Sequence, residues 1–345
     1  MQKKELAEDP LRLGFVVIGR NEGDRLKNCL RSIVDAGRSL GECHLENSIV
    51  YVDSGSHDGS VEFARNLGCL VVCLDSTIPF TAARARNAGF KHLLQKKPVT
   101  KFVQFIDGDC TLEKNWLSTA LDSISEQHDA AVVCGRRREL FPEKSIYNLL
   151  CDMEWDTPVG ETNACGGDFL ARRDALESVG AFCEELIAGE EPEMCYRLAD
   201  KGWKIYRINC AMTAHDAAID KFRQFWLRSK RSGHAYVERC TIHATRSSPY
   251  CVRPVVSIIV LGAILPLIII LTSIFSFKFA VALVLIYLIL AVKISLAKYR
   301  KYKDIYAAFY YGLLTTVGKF AQFSGVLQFI YRRVHRSESR IIEYK

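Results

Sequence analysis

An α/β fold with a mostly parallel sheet, followed by membrane helices, is the architecture this 345-residue sequence predicts. Three observations predict it. Short β-branched runs alternate with helical patterns over roughly the first 210 residues, which favours strand-helix-strand units. Polar and acidic residues stand where several of those runs end. The last hundred residues are apolar in long blocks.

In chain order the expected strands are 14–18, 48–52, 70–74, 102–106 and 130–134. Between the second and third, Ser56 to Ser60 supplies helix-starting residues, Val61, Ala64 and Leu67 mark one helix face, and Gly68 closes it. Later helices are expected over 173–179 and 192–201, the second opened by Pro192 and stopped by Gly202. Tyr206 and Ile208 belong to a late short strand, and 220–239 reads as a cationic amphipathic helix with Phe222, Phe225 and Trp226 on its apolar side. In open α/β sheets ligands collect at the carboxyl ends of strands. Asn21, Asp53 and Asp107 all fall there.

The segment 252–275 is apolar except for Arg253, and 279–296 is apolar until Lys293. The first clears the ~20 residues that a bilayer span needs and the second does so narrowly. Two membrane passages are the reading, with a pair of buried core helices as the alternative. A third apolar stretch, 305–331, carries Lys319 and many Tyr, Gly and Thr residues, so an interfacial helix is favoured over a third span. The net charge of +7 divides unevenly, acidic before about residue 220 and strongly basic after it. The clusters Lys298, Arg300, Lys301, Lys303 and Arg332, Arg333, Arg336, Arg340 flank apolar segments and suit the cytoplasmic face of an anionic membrane. No recognition helix or zinc module accompanies them, so nucleic acid is not the expected partner. The charged residues 1–11 form a tail in which no cleaved secretory signal is visible, and the front domain is expected in the cytoplasm. Thirteen cysteines stand singly, without Cys-x-x-Cys spacing, and read as small buried hydrophobes in a reducing compartment.

The Asp107-Gly108-Asp109 tripeptide places two carboxylates where a buried run surfaces into a loop. Such a pair can hold a magnesium-like cation and leave positions open for phosphate oxygens. An ordinary Asp/Gly turn is the competing reading. Asp53 can accept hydrogen bonds from a nucleobase imide or a sugar hydroxyl, or simply form an Asx-turn. Asp58 is better explained by helix capping. Arg84 and Arg86 can pair a diphosphate. For Arg86 the alternative is a solvated helix face.

Five motifs line up in order: Ile18-Gly19-Arg20-Asn21-Glu22, then Val52 to Ser60, then Ala85-Arg86-Asn87-Ala88-Gly89, then Asp107-Gly108-Asp109, then Gly189-Glu190-Glu191. Over about residues 12–240 the chain resembles the family 2 glycosyltransferases, in a membrane-anchored bacterial form. That resemblance implies a GT-A fold, a Rossmann-like nucleotide-diphospho-sugar transferase sheet, with 241–345 as the membrane region. It implies a nucleotide-diphosphate sugar donor, with a UDP-sugar favoured, and Mg2+ or Mn2+ as cofactor. The donor would be bound by Asn21, Glu22, Asp53, Arg84, Arg86, Asp107, Gly166 and Gly167, and the metal by Asp109, Asp107 and His215. Glu190 and Glu191 occupy the place of the Glu-Asp pair of similar enzymes, with Glu191 as catalytic base. Helix capping competes with that role. A carboxylate at a helix start is favoured in its charged form. Gly166-Gly167-Asp168 is similar to the floor of the sugar or acceptor pocket. Gln224 to Arg228 matches the Gln/Arg/Trp motif of processive relatives only loosely, which weakens a polymer-synthase reading. The implied reaction is inverting transfer to a hydroxyl of a lipid-linked or saccharide acceptor, in cell-envelope polysaccharide or glycolipid synthesis. A membrane-tethered sugar-nucleotide binding protein and a metal-dependent nucleotidyltransferase are the alternatives.

Overall fold

The structure is a computed structural model that describes residues 12–40, 47–244, 251–335 and 341–343. The 1–11 tail and two members of the second basic cluster, Arg336 and Arg340, lie outside the described residues. By internal contacts the chain divides into two compact units. The first comprises residues 1–140, 154–185 and 190–217, and the second 141–153, 186–189 and 218–345.

The first unit holds a sheet of nine strands among the described residues, in the order β3-β2-β1-β4-β8-β6-β9-β5, with β7 on β9. These are β1 Leu13–Gly19, β2 Ile49–Asp53, β3 Leu70–Cys73, β4 Phe102–Asp107, β5 Cys110–Leu112, β6 Ala130–Glu139, β7 Gly160–Thr162, β8 Phe169–Arg172 and β9 Lys204–His215. The five expected strands are all present. The β3-β2-β1-β4 half is parallel throughout, because helices cross over between successive strands. The other half departs from the mostly parallel expectation. There β8 runs antiparallel to both β4 and β6, while β9 is parallel to β6 and antiparallel to β5 and β7. The physical reason is that β8 leaves the 160–168 loop from the end of the sheet where β4 finishes, so it can only return downward.

Helices α1 Asp24–Ser39, α2 Ser60–Asn66, α3 Ala82–Lys96 and α4 Trp116–Glu126 provide the crossovers. Helix α1 buries Leu26, Leu30 and Ile33, an i, i+4, i+7 stripe. Thr81 caps α3, its hydroxyl accepting the Arg84 N–H at 3.1 Å. Gly89 lets α3 lie tight on the sheet, since a Cβ there would stand 2.8 Å from Val52 Cγ2. Phe105 stacks on Phe169 at 5.0 Å and meets Phe182 edge-on at 5.3 Å, joining β4, β8 and the following loop. The one-residue register matters most at the strand ends: Gly19 pairs Asp53 and Ile18 pairs Asp107, so both carboxylates leave the sheet beside β1 at the same edge. Helices α6 Arg173–Val179 and α7 Glu190–Asp200 complete this unit, whereas α5 Ile146–Trp155 falls in the second unit up to Met153.

The second unit is helical. It contains α8 Phe222–Ile242, α9 Val252–Phe275, α10 Phe277–Tyr302 and α11 Ile305–Val334. Among the described residues, α9 and α10 are the two helices long and apolar enough to cross a membrane. Their large side chains point outward: Ile270, Ile274, Phe275 and Ile289 are more than half exposed. Pro266 has no N–H for the Gly262 carbonyl, and α9 widens there into a π-turn over Val260–Ile264. The expected 305–331 stretch is one continuous helix, α11. Gly233 of α8 lies against the backbone of Gln322, and Gly325 of α11 lies against that of Lys230. Small residues at a crossing let two helix backbones approach closely.

Replacing Gly89 by Val drives a branched side chain into Val16 and Val52. The expected loss is about 1–3 kcal/mol, read as a lowered Tm of the full chain with its secondary structure retained.

Candidate active site

Three chain segments meet at the carboxyl ends of β1, β2 and β4. Asn21 sits in the left-handed region at φ +53, a conformation that asparagine tolerates. Its Oδ1 accepts the His57 N–H at 2.9 Å and its own N–H donates to Ser56 Oγ at 2.9 Å. Asp58 completes the clasp by accepting the Gly23 and Ser60 N–H groups. Asp53 is buried. One oxygen accepts the Gly55 and Ser56 N–H groups at 2.9 Å each and the other accepts Tyr51 Oη–H at 2.9 Å. This is the Asx-turn arrangement, and a carboxylate so engaged retains acceptor capacity for a further donor. Glu22 pairs Arg25 at 2.7 Å.

The centre of the site is a guanidinium shared by carboxylates. Arg86, 3% exposed, reaches Asp107 Oδ1 at 2.6 Å with one nitrogen and Glu190 Oε1 with the other. Arg137 reaches Asp107 Oδ2 at 3.2 Å and Asp168 Oδ2 at 2.7 Å. Asp168 is fully buried and also accepts the Asp107 N–H at 2.9 Å and the Thr213 hydroxyl at 2.7 Å. Gly167 lies on this cluster: a Cβ would meet Asp107 Oδ2, Arg137 at 3.0 Å and Arg86 at 3.1 Å. Gly166 takes φ +84 beside it. Asn87, the other polar residue of that motif, holds the 182–184 loop, donating to the Phe182 carbonyl and accepting the Phe182 N–H.

Arg84 is turned elsewhere. Its guanidinium donates to the Ile78 and Asp75 carbonyls at 2.7 and 2.9 Å, tying down the loop before α3. The two arginines named together from the sequence therefore diverge, and only Arg86 joins the carboxylates. Successive residues of a helix differ by about 100° in direction, and two apart by about 200°, so Arg84 and Arg86 cannot face one target.

Beside Asp107, Asp109 Oδ2 stands 3.2 Å from His215 Nε2, with the Cys110 thiol close by. His215 is buried, packs edge-on to Trp155 at 4.8 Å, and its Nδ1 has no hydrogen-bond partner among the described residues. Arg137 lies over the same Trp155 ring at 5.6 Å. Arg137 and Trp155 were not named from the sequence. The run Gly135-Arg136-Arg137-Arg138 at the carboxyl half of a β-branched stretch was the available signal for the first. Nothing local singles out Trp155.

Glu190 and Glu191 separate at the start of α7. Glu190 joins Arg86, whereas Glu191 accepts the Cys165 N–H and lies 3.4 Å from Cys195 Sγ, in a buried corner where the Cys165 and Cys195 sulfurs are 3.7 Å apart. Burial pushes the Glu191 carboxyl above the ordinary glutamate range, against the lowering effect of the Cys165 and Gly166 N–H groups. The charge-favouring helix start expected from the sequence is thus outweighed by desolvation. For Asp107 burial also acts upward, but Arg86 and Arg137 outweigh it and hold the carboxyl below its usual range.

These opposite shifts have opposite signs in stability. The lowered Asp107 contributes stability that is present above the ordinary aspartate range, near ~4, and lost as pH falls through its folded value. Asp107→Asn is expected to flatten the acid side of the stability-pH curve, measured by denaturant unfolding of the full chain. The raised Glu191 costs stability as pH rises above the ordinary glutamate range. Glu191→Gln is expected to be the more stable protein at neutral pH, by a margin that shrinks in acid.

Residues 15–180 match the family model described as Glycosyl transferase family 2. The glycosyltransferase AglE of Haloferax volcanii is 24% identical over 205 residues, covering 57% of this chain and 64% of the relative. A glucosyl-dolichyl phosphate glucuronosyltransferase of the same organism is 26% identical over 152 residues, covering 36% of this chain and 48% of the relative. The chain therefore spans less than two thirds of either relative's length. Among solved structures, the mannosyltransferase PcManGT from Pyrobaculum calidifontis, in complex with GDP-Man and Mn2+, superposes with a TM-score of 0.61 at 15% identity, covering 96% of this chain and 94% of that one. That likeness is one of fold. Over residues 15–180 the chain matches glycosyl transferase family 2, and its sheet is a GT-A sheet.

Proposed function

We propose that this protein is an inverting glycosyltransferase that moves a sugar from a nucleotide-diphosphate donor to a hydroxyl of a lipid-linked or saccharide acceptor, at a membrane, in the synthesis of cell-envelope polysaccharide or glycolipid. The observation that carries the reading is the convergence on Arg86 of carboxylates from two distant segments, Asp107 and Glu190, with the Asp109–His215 pair alongside. Relatives named as glycosyltransferases support sugar transfer, and one named for a dolichyl phosphate substrate is compatible with a lipid-linked acceptor.

Asn21, Glu22 and Asp53 would line the nucleoside end of the donor, with the 52–58 loop held in place by Asn21 and Asp58. Gly166 and Gly167 would let the donor approach the backbone. Arg86 and Arg137, already fixed against Asp107, would face negative charge growing on the departing diphosphate. The Asp109 carboxylate and the His215 imidazole, 3.2 Å apart and with a buried, unpartnered Nδ1 on the histidine, suit Mg2+ or Mn2+ in donor chemistry. An ion held there, with Asp107 next to it, would supply positive charge to the diphosphate. Glu191 would take the acceptor hydroxyl proton. Burial raises its pKa, and a carboxylate with a raised pKa is the stronger base once ionised. Configuration at the anomeric carbon would invert in one displacement.

Helices α9 and α10 would cross the bilayer. The Lys298, Arg300, Lys301 and Lys303 cluster at the end of α10, and Arg332 and Arg333 at the end of α11, favour a cytoplasmic position for those ends and for the catalytic unit.

The test is incubation of the full chain in detergent with manganese and a panel of radiolabelled nucleotide sugars, with membrane lipids as acceptor. Asp109→Asn and Glu191→Gln are expected to lower transfer by about 10²–10⁴-fold. Normal rates in both would overturn the site. A loss confined to Glu190→Gln would move the base to Glu190. Donor binding without turnover, or pyrophosphate release from a nucleoside triphosphate, would replace transfer with the two alternative functions.

A further inference from the structure

The loop before β8 and the first turns of α7, both in the first unit, bring two thiols and a carboxylate into one corner. Glu191 and Cys195, four residues apart on α7, lie on the same helix face. Cys165 reaches them from the loop between β7 and β8. All three side chains belong to buried residues. The two sulfurs are 3.7 Å apart, Cys195 Sγ lies 3.4 Å from Glu191 Oε1, and the three ligating atoms all fall within 4.8 Å of one another.

These separations are those of a tetrahedral metal site. Zinc bonds of about 2.3 Å to sulfur and about 2.0 Å to oxygen set tetrahedral ligands about 3.8 Å apart for two sulfurs and about 3.5 Å apart for sulfur and oxygen. Thiol hydrogen bonds give similar distances, but they leave the charge of the carboxylate unanswered. Arg86 takes the neighbouring Glu190, and among the described residues no lysine, arginine or histidine pairs with Glu191. Its partners are the Cys165 and Gly166 N–H groups and the Cys195 thiol. Buried carboxylates are ordinarily paired with a cation or bound to a metal. A divalent cation entering here would displace both thiol protons to solvent, so the net charge of the corner stays the same and no electron moves. Thiolates select zinc-type ions, whereas magnesium and manganese prefer oxygen ligands such as Asp107 and Asp109 supply.

We propose that Cys165, Cys195 and Glu191 form a second metal site, specific for a thiophilic divalent cation of the zinc type, and that its occupation inhibits transfer by withdrawing Glu191 from the acceptor proton. The inhibitory consequence rests on the reading of Glu191 as base. The site itself does not, because its ligands are argued from geometry and charge alone.

The experiment titrates the full chain in detergent, reduced and freed of metal, with Co2+ and Cd2+ as spectroscopic probes and with Zn2+ as the inhibitor in a manganese-supported transfer assay. One cobalt ion per chain is expected to give thiolate-to-metal charge-transfer absorption with the visible bands of tetrahedral coordination, and zinc is expected to displace it. Cys165→Ala and Cys195→Ala are each expected to weaken that binding about tenfold or more, with folding checked by circular dichroism. Asp109→Asn and Cys110→Ala, at the other candidate metal site, are expected to keep the thiolate signal. The zinc concentration that halves transfer is expected to rise by about tenfold or more in the Cys195→Ala protein. Absence of the thiolate band, its persistence in both Cys165→Ala and Cys195→Ala, or its loss in Cys110→Ala would overturn the site. Inhibition by zinc that is equal in the parent and in Cys195→Ala would overturn its consequence for transfer. A thiolate signal that depends on both cysteines, in a protein that transfers no sugar, would keep the site and remove the enzyme reading. Transfer without any such signal would remove the site and leave the enzyme reading intact.

Discussion

The buried Arg86 guanidinium is the constraint from which the catalytic unit is organised. A cation at 3% exposure is tolerated only when carboxylates replace the water it has lost. Arg86 therefore fixes the end of β4 through Asp107 and the start of α7 through Glu190, two segments far apart in the chain. Arg137 repeats the device from β6 by joining Asp107 to the fully buried Asp168. Removing either arginine would leave uncompensated carboxylates in a poorly solvated place. With Asp109 added, four carboxylates stand against two guanidiniums, and the surplus of negative charge is what favours a divalent cation beside them.

The two glutamates at the start of α7 show how one turn of helix divides labour. Neighbouring helical side chains point about 100° apart, so a pair adjacent in sequence cannot share an environment. Glu190 is drawn into the ion-pair cluster. Glu191 goes into a dry corner lined by Cys165 and Cys195, where its charge is disfavoured. The cysteines read as inert small hydrophobes have a consequence after all: they make the pocket around Glu191 poor in solvent, and burial pushes the Cys165 thiol up so that it stays neutral there.

The helical unit follows a different rule. Its outward faces carry large aliphatic and aromatic side chains, and its inner contacts use glycine so that backbones can touch. Helix α8 belongs to this unit by its packing. An amphipathic pattern shows that a helix has an apolar side but not which neighbour covers it.

Much of the fold was readable from residue order alone. The five β-branched runs became strands, the 173–179 helix appeared at its expected limits, and Asn21, Asp53 and Asp107 emerged at one sheet edge, because alternation, caps and strand-end polarity are local properties of the chain. Partnership is not local. Which of Arg84 and Arg86 faces the carboxylates, which of Glu190 and Glu191 meets Arg86, the antiparallel return of β8, and the placing of Arg137 and Trp155 beside His215 all depend on segments separated by tens to more than a hundred residues. Those choices are made by desolvation and close packing. Both act between surfaces that exist only once the chain has folded.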